Sequence, residues 1–506
     1  MFKHKFFATA AGTSFYLIVF NVLGKGVGLA RESVFAAFFG LRQEFDLYLV
    51  GAVIPIVINT IIQYIGQNYF IPSYSSIKEK NRITFLNSTM LIFLISSLII
   101  SALLYFFSDA IMKMYLTDSK TEIQNVASKI FKIFLLTIPL NSLTAVLSAY
   151  FQVKLKFYLP AIAQLIFGLV ILLMVLFFNS FFSIYSIALG FLAGSFFQLL
   201  ILLIVSQKEK VFSYLSLKID FSLFRSIPSG LGIVLFIEII GQLFLIVDRY
   251  FLKSVDAGGI SSLSYANNIF ALPISIISLT FATVIFPKLS EDIKSGIEKF
   301  SANLIRSISI NTYIFIPITF LFLFFGDEII KVLYYRGKFT SDDVVMTFSV
   351  LKLFSISLVF FSAFAIINKA MYAIGALKFL LIINLVVFLF KVISSAFLVD
   401  YFKQDGLALS TSLSFILITI VCSFYLFRRM NMLKNIWWSD LFISIMNGVV
   451  SISITYIIFN MIELNYWISF FIKPLLTLSV YIFNSMIIGQ RSFKELQLPL
   501  MGIIRL

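Results

Sequence analysis

The sequence predicts an all-α integral membrane protein: fourteen transmembrane helices, arranged as two six-helix halves in a parallel pseudo-two-fold repeat plus two C-terminal helices. Three observations predict it. Fourteen apolar stretches, most of them 20 residues or longer, fill the 506-residue chain, and about 20 apolar residues are what a helix needs to cross the hydrocarbon. Of all residues, 60% are hydrophobic and 12% charged, more apolar surface than a water-soluble core can hide. Finally, landmarks of the first six stretches return in the second six.

Taken in order, the first six spans lie near 8–30, 47–70, 87–108, 126–152, 157–179 and 182–206. The second six lie near 226–250, 259–286, 304–326, 346–373, 376–399 and 404–427, and a final pair near 439–462 and 465–489. Arg31 ends the first span and Arg249 the seventh; Pro55 sits inside the second and Pro273 inside the eighth; both pairs are 218 positions apart. The second span leaves as YFIPSYSS (69–76) and the eighth as VIFPKLSE (284–291). AYFQVKLKF (149–157) follows the fourth span, and AMYAIGALKF (370–379) follows the tenth. Because six is even, both halves enter the membrane in the same orientation, related by an axis along its normal with a cavity between them. The expected organisation is an N-terminal half over 1–206, a cytoplasmic linker over 207–225, a C-terminal half over 226–430, and two additional helices with a tail over 431–506. Between spans, Ile293, Ile297, Phe300 and Leu304 recur at helical spacing, which predicts a surface helix over 291–306.

The formal charge of +15 is topological rather than a nucleic-acid footprint. Lys78, Lys80, Arg82, Lys154, Lys156, Lys288, Lys294, Arg428 and Arg429 all fall in even-numbered connections, which puts both termini in the cytoplasm of a multi-pass protein. The single cysteine, Cys422, and the single histidine, His4, exclude an intrachain disulfide, zinc sites and Cys-His or Ser-His-Asp catalysis. No metal, cofactor or catalytic residue is expected. Gly24-Lys25 and Gly337-Lys338 lack the rest of a phosphate loop, so no ATP is expected to be used. The first apolar stretch is too long for a cleavable signal and has no small-residue cleavage site.

Chemistry should therefore be sought among polar groups that a membrane makes costly. The first span carries Asn21, Lys25, Arg31 and Glu32; the second begins at Asp46 and continues through Asn59, Gln63, Gln67 and Asn68. Lys132, Glu238, Gln242, Asn267, Asn268, Lys352, Lys369, Lys391 and Lys473 follow in later spans. Basic groups outnumber Glu238, the single mid-span acid, so the expected cavity is cationic and its ligand anionic. Each residue also has a plainer reading. Arg31, Lys369 and Lys473 can snorkel to headgroups, and Asp46 can cap the second helix. Gly24, Gly26 and Gly28 can seat a neighbouring helix or break their own. Glu238 can bind a coupling cation or pair with a lysine, and Lys391 is a further candidate for cavity charge.

The stretch GKGVGLARESVFAAFFG (24–40), followed by Asp46 and the internal Pro55, resembles the opening of the MurJ (MviN) lipid-flippase family of the multidrug/oligosaccharidyl-lipid/polysaccharide exporter superfamily. SYANNIFALP (264–273), FPKLS (286–290), LYYRGKFT (333–340) and DGLALSTS (405–412) agree, so the resemblance covers essentially the whole chain. It implies flipping of an undecaprenyl-diphosphate-linked glycan from the inner to the outer leaflet of the bacterial cytoplasmic membrane by alternating access. It also implies that cavity arginines meet the diphosphate. Lys25 stands at the first of those positions; Arg31, followed by Glu32, stands at the second; and the acid opening the second span is Asp46. Asn59 and Asn268 stand where the family carries two further arginines, and lysine at position 25 lacks the guanidinium fork.

The resulting expectation is a lipid II flippase whose partners are the lipid-linked glycan and membrane lipid, with no nucleic acid. The alternative is an O-antigen or capsular repeat-unit flippase. A drug exporter suits a lysine-rich cavity poorly, and a membrane glycosyltransferase or polymerase needs acids on a large external loop that this chain lacks.

Overall fold

The computed structural model describes residues 10–116, 120–208, 219–220, 229–251, 254–430, 434–460 and 465–504, and these are helical with no strand among them. Two compact units divide the chain: residues 1–253 with 336–339, and residues 254–335 with 340–506. Residues 209–218 and 221–225 of the expected linker lie outside the described residues, as do 226–228 at the start of the expected seventh span, His4 and the side chain of Asn21.

In the first unit, α1 (Ala10–Phe39) turns at Gly40, φ 58°, into α2 (Gln43–Ile65). A π turn at Gly66–Phe70 and a short helix at Ile71–Ser76 prolong α2. Then come α3 (Arg82–Phe106), α4 (Ser108–Tyr115), α5 (Thr121–Leu135) and α6 (Thr137–Val153). After α7 (Tyr158–Phe182) and α8 (Tyr185–Lys208), α9 (Ser229–Tyr250) packs back against α2. Lipid tails are as apolar as leucine, so burial alone does not hold these helices together and close fit must. Gly51 of α2 shows that fit: a Cβ there would lie 2.8 Å from the Ala127 carbonyl oxygen of α5. The α1–α2 corner is fixed by rings, with Phe45 5.2 Å from Tyr48 and stacked 6.1 Å from Phe39. Such pairs add about 0.5–1.5 kcal/mol each beyond their area.

The second unit starts with α10 (Gly259–Pro273), a π turn at Ile274–Ser278, and α11 (Leu279–Ser295). Next are α12 (Ile297–Tyr334), α13 (Ser341–Ser355), α14 (Leu358–Ala373) and α15 (Leu377–Arg429). A capping box opens α13: the Thr340 hydroxyl accepts from the Asp343 N–H, and the Asp343 carboxylate accepts from the Thr340 N–H at 2.9 Å. The 53 residues of α15 form two helices that meet at Lys403, whose φ of 50° and ψ of −128° are not helical. α16 (Lys434–Asn460) and α17 (Tyr466–Ile488) dock on α12, the Tyr313 hydroxyl donating to Ser485 Oγ at 2.9 Å, and α18 (Arg491–Ile504) follows.

The expected surface helix over 291–306 is broken at Gly296, φ 144°, between α11 and α12. Its apolar spacing was read across that glycine. Phe300 and Leu304, on the far side, are buried within the unit. Among the described residues, ten helical segments are long and apolar enough to cross a membrane, or eleven with the α13–α14 pair, bent by 47°, counted as one. α15 counts once among the ten, while α1 and α9, which carry Lys25, Arg31, Glu32, Glu238, Asp248 and Arg249, are outside them.

Candidate functional site

α1 carries Lys25, Arg31 and Glu32 without interruption from Ala10 to Phe39, so its three glycines do not break it. A Cβ on Gly24, Gly26 or Gly28 would meet nothing within 4 Å among the described residues, so they seat no neighbour either. Their effect is to leave the helix surface beside Lys25 bare. Two turns on, Arg31 donates from Nη2 and Nε to Glu32 Oε1, at 2.7 and 3.2 Å. Its guanidinium also lies over the rings of Phe35 and Phe191, 5.7 and 5.5 Å from their centroids. With its side chain 22% exposed, Arg31 is held inside the unit rather than extended toward headgroups.

Asp46 is buried in the first turn of α2, and since that helix begins at Gln43 with Arg42 at the cap position, Asp46 is not its cap. It lies within charge range of Arg249, 7% exposed at the end of α9, which also feels Asp248 and Tyr48. The sequence offered Arg249 only as the repeat mate of Arg31. Its place at the end of an apolar span was the signal that it is a buried cation.

Asn59 donates from Nδ2 to Thr137 Oγ1 at 2.9 Å, while its buried Oδ1 accepts no hydrogen bond. It lines a cavity of about 140 Å³ in the first unit. Glu238 accepts from Gln242 Nε2 at 3.3 Å on its own helix and lies near Tyr64 of α2. The structure thus brings Arg31 and Glu32 together, joins them through Phe191 to the Asn59 cavity, and sets Asp46 by Arg249.

Asn268 and Lys391 belong to the second unit. Asn268 is half-buried on α10. Lys391 is completely buried, and its ammonium donates to the Leu407 carbonyl, Ser410 Oγ and Thr411 Oγ1 at 3.0, 2.9 and 2.6 Å. It pins the two arms of α15 to each other.

Other lysines are similarly engaged. Lys132 Nζ is 3.1 Å from Asp109, whose carboxyl is held below the usual carboxylate range by the Ser128 hydroxyl and by that lysine. Lys473 of α17 pairs with Glu328 of α12 and lies 4.7 Å from the Phe325 ring centre. Lys352 sits 4.1 Å from the centre of the Phe348 ring. Glu328 lies just past the end assigned to the ninth span, and the helix breaks there too: Phe325, φ −127° and ψ 18°, is not helical, so Glu328 stands on the short helix beyond the kink.

A family model described as "Lipid II flippase MurJ" matches residues 35–478. The "Probable lipid II flippase MurJ" of Borreliella burgdorferi is 28% identical over 413 residues, covering 80% of each chain. The "Lipid II flippase MurJ" of Thermosipho africanus is 24% identical over 389 residues, covering 77% of this chain and 80% of its own. A solved structure, "Lipid II flippase MurJ, inward closed conformation", shares the fold with a TM-score of 0.80 at 24% identity, over 93% of this chain and 98% of that one. An inward-facing multidrug resistance MATE family transporter of the MOP superfamily shares it more distantly, with a TM-score of 0.63 at 14% identity, over 80% and 94%.

Proposed function

The chain belongs to the lipid II flippase MurJ family, whose members are transporters, and from that membership we propose that it flips undecaprenyl-diphosphate-linked glycan, lipid II first. It is a multi-pass protein of the bacterial inner membrane. Transport runs from the inner to the outer leaflet by alternating access of two six-helix halves within fourteen crossings, with both termini cytoplasmic. The observation that carries this reading is Arg31, a guanidinium kept inside a membrane unit by Glu32 and two rings, on the stretch that resembles the family's opening. A diphosphate cannot enter hydrocarbon uncompensated. A guanidinium offers five N–H donors in a fork that suits phosphate oxygens. Lys25, on the bare face of α1, supplies a second positive charge, while Asp46 with Arg249, and Asn59, add polar groups within the same unit. The neutral Asn59 and Asn268, where arginines stand in the family, favour one second reading: a lipid-linked polysaccharide repeat unit.

The test is purified protein in liposomes containing fluorescent undecaprenyl-diphosphate glycan, scored by exposure of the label in the opposite leaflet. Catalysed exposure supports the proposal. Exposure no faster than in empty liposomes for both lipid II and a repeat-unit lipid would sink it.

A further inference from the structure

The Asn59 cavity is walled by uncharged amides from four helices, an unusual lining for a membrane interior, where unsatisfied polar groups are costly. Gln63 comes from α2 beside Asn59, Asn141 from α6, Gln164 from α7 and Gln198 from α8. Part of this hydrogen-bonding capacity is used internally, Gln198 Nε2 donating to Gln164 Oε1 at 2.9 Å. Part is left over: Asn59 Oδ1 is buried without a donor. The apolar wall is a ring cluster in which Phe191 lies 5.0 Å from Phe134 and 5.7 Å from Phe167. Phe191 is also one of the two rings under Arg31, so the amide cavity and the guanidinium share a wall.

We propose that this cavity is a subsite for an acetamido sugar next to the diphosphate held at Arg31, an inference that rests on the flippase reading above. An acetamido group presents one N–H donor and one carbonyl acceptor, the complement of a primary amide side chain, which offers both. The C–H face of a pyranose packs on the negative face of an aromatic ring. A volume of about 140 Å³ is below the usual range for drug-sized ligands, so the cavity takes one ring or its acetamido arm and not a whole glycan. Neutral amides bind without adding charge, so the glycan is recognised separately from the diphosphate.

The experiment measures binding of two lipids to protein in nanodiscs: bare undecaprenyl diphosphate, and the same lipid bearing one N-acetylglucosamine. Two double variants are compared with wild type. Gln63→Met with Asn141→Leu removes one wall, and Gln164→Met with Gln198→Met removes both partners of an internal hydrogen bond, a change that leaves no group stranded. Thermal midpoints confirm that at least one of them is folded. The expected result is a roughly tenfold loss of affinity for the sugar lipid, worth about 1.4 kcal/mol, with bare-lipid affinity unchanged. Equal loss for both lipids, or no loss in a folded variant, overturns the subsite and leaves the flippase reading standing. Wild type that binds neither lipid overturns the flippase reading, and the subsite with it.

Discussion

In the proposed site, an incoming diphosphate would meet at Arg31 a cation that already has an anion, because Glu32 Oε1 receives both Nε and Nη2. Binding is then an exchange of acceptors, and Glu32 limits how long the lipid stays. Removing that competitor by Glu32→Gln should tighten binding of undecaprenyl diphosphate and slow turnover, whereas Arg31→Ala should abolish flipping in a protein that still inserts. Lys25→Arg should be tolerated, since it restores the planar fork. Full flipping by a Lys25→Ala, Arg31→Ala double variant, measured in the liposome assay, would show that neither residue meets the substrate. The charged residues of α1 and α2 were legible because each interrupts an apolar run. Their partners were less so: 145 residues separate Glu328 from Lys473, and nothing in either neighbourhood names the other. Breaking such a half-buried pair strands a charge, so Lys473→Met or Glu328→Met alone should lower the thermal midpoint more than the two together. Additive effects in that double-mutant cycle would show the pair to be incidental.

Glycines sort the helices into those that touch and those that do not. At Gly337, φ 60°, in the LYYRGKFT motif, a Cβ would lie 2.2 Å from the Ala37 carbonyl oxygen, which the Lys338 N–H also reaches at 2.8 Å. At Gly406, just after the bend at Lys403, a Cβ would lie 2.3 Å from the Leu398 carbonyl oxygen. Alanine at either should destabilise, at Gly337 by more than the roughly 1–2 kcal/mol that a left-handed conformation alone costs. Gly26→Ala should act oppositely. It stands in an unbroken helix with nothing within 4 Å of its added methyl, so alanine gains helix propensity of about 0.8–1 kcal/mol. Thermal unfolding in detergent reads all three, and a Gly26→Ala midpoint below wild type would mean that another state of the protein packs this face. The positions of helices were legible from apolar length. What was hidden was the break at Gly296, because hydropathy alone does not register a glycine's backbone.

At the scale of the whole molecule, pairing changes what the membrane potential acts on. The sequence predicts a cationic cavity, and a carrier with uncompensated positive charge would be drawn inward when empty by a negative interior. The structure engages Lys132 with Asp109, Lys473 with Glu328, Arg31 with Glu32, and Arg249 with nearby Asp46 and Asp248. With these four cations compensated, the carrier moves less charge of its own than a count of its basic residues implies, and in the proposed cycle the diphosphate adds the negative charge that crosses. A negative interior favours moving that anion outward, by about 2.3 kcal/mol per elementary charge per 100 mV. The loaded step, not the empty return, should then be the voltage-dependent one. This requires a defined orientation, and the basic residues of the even-numbered connections predict one with both termini on the cytoplasmic side. Reporters active only in the periplasm should accordingly stay silent at either terminus. In oriented liposomes without ATP, outward exposure of a fluorescent undecaprenyl-diphosphate glycan should slow as the potential is collapsed, and bare undecaprenyl diphosphate should slow by the same factor. Turnover unchanged at zero potential would remove the electrical drive. A dependence present for the glycan lipid but absent for the bare diphosphate would place the moving charge on the glycan.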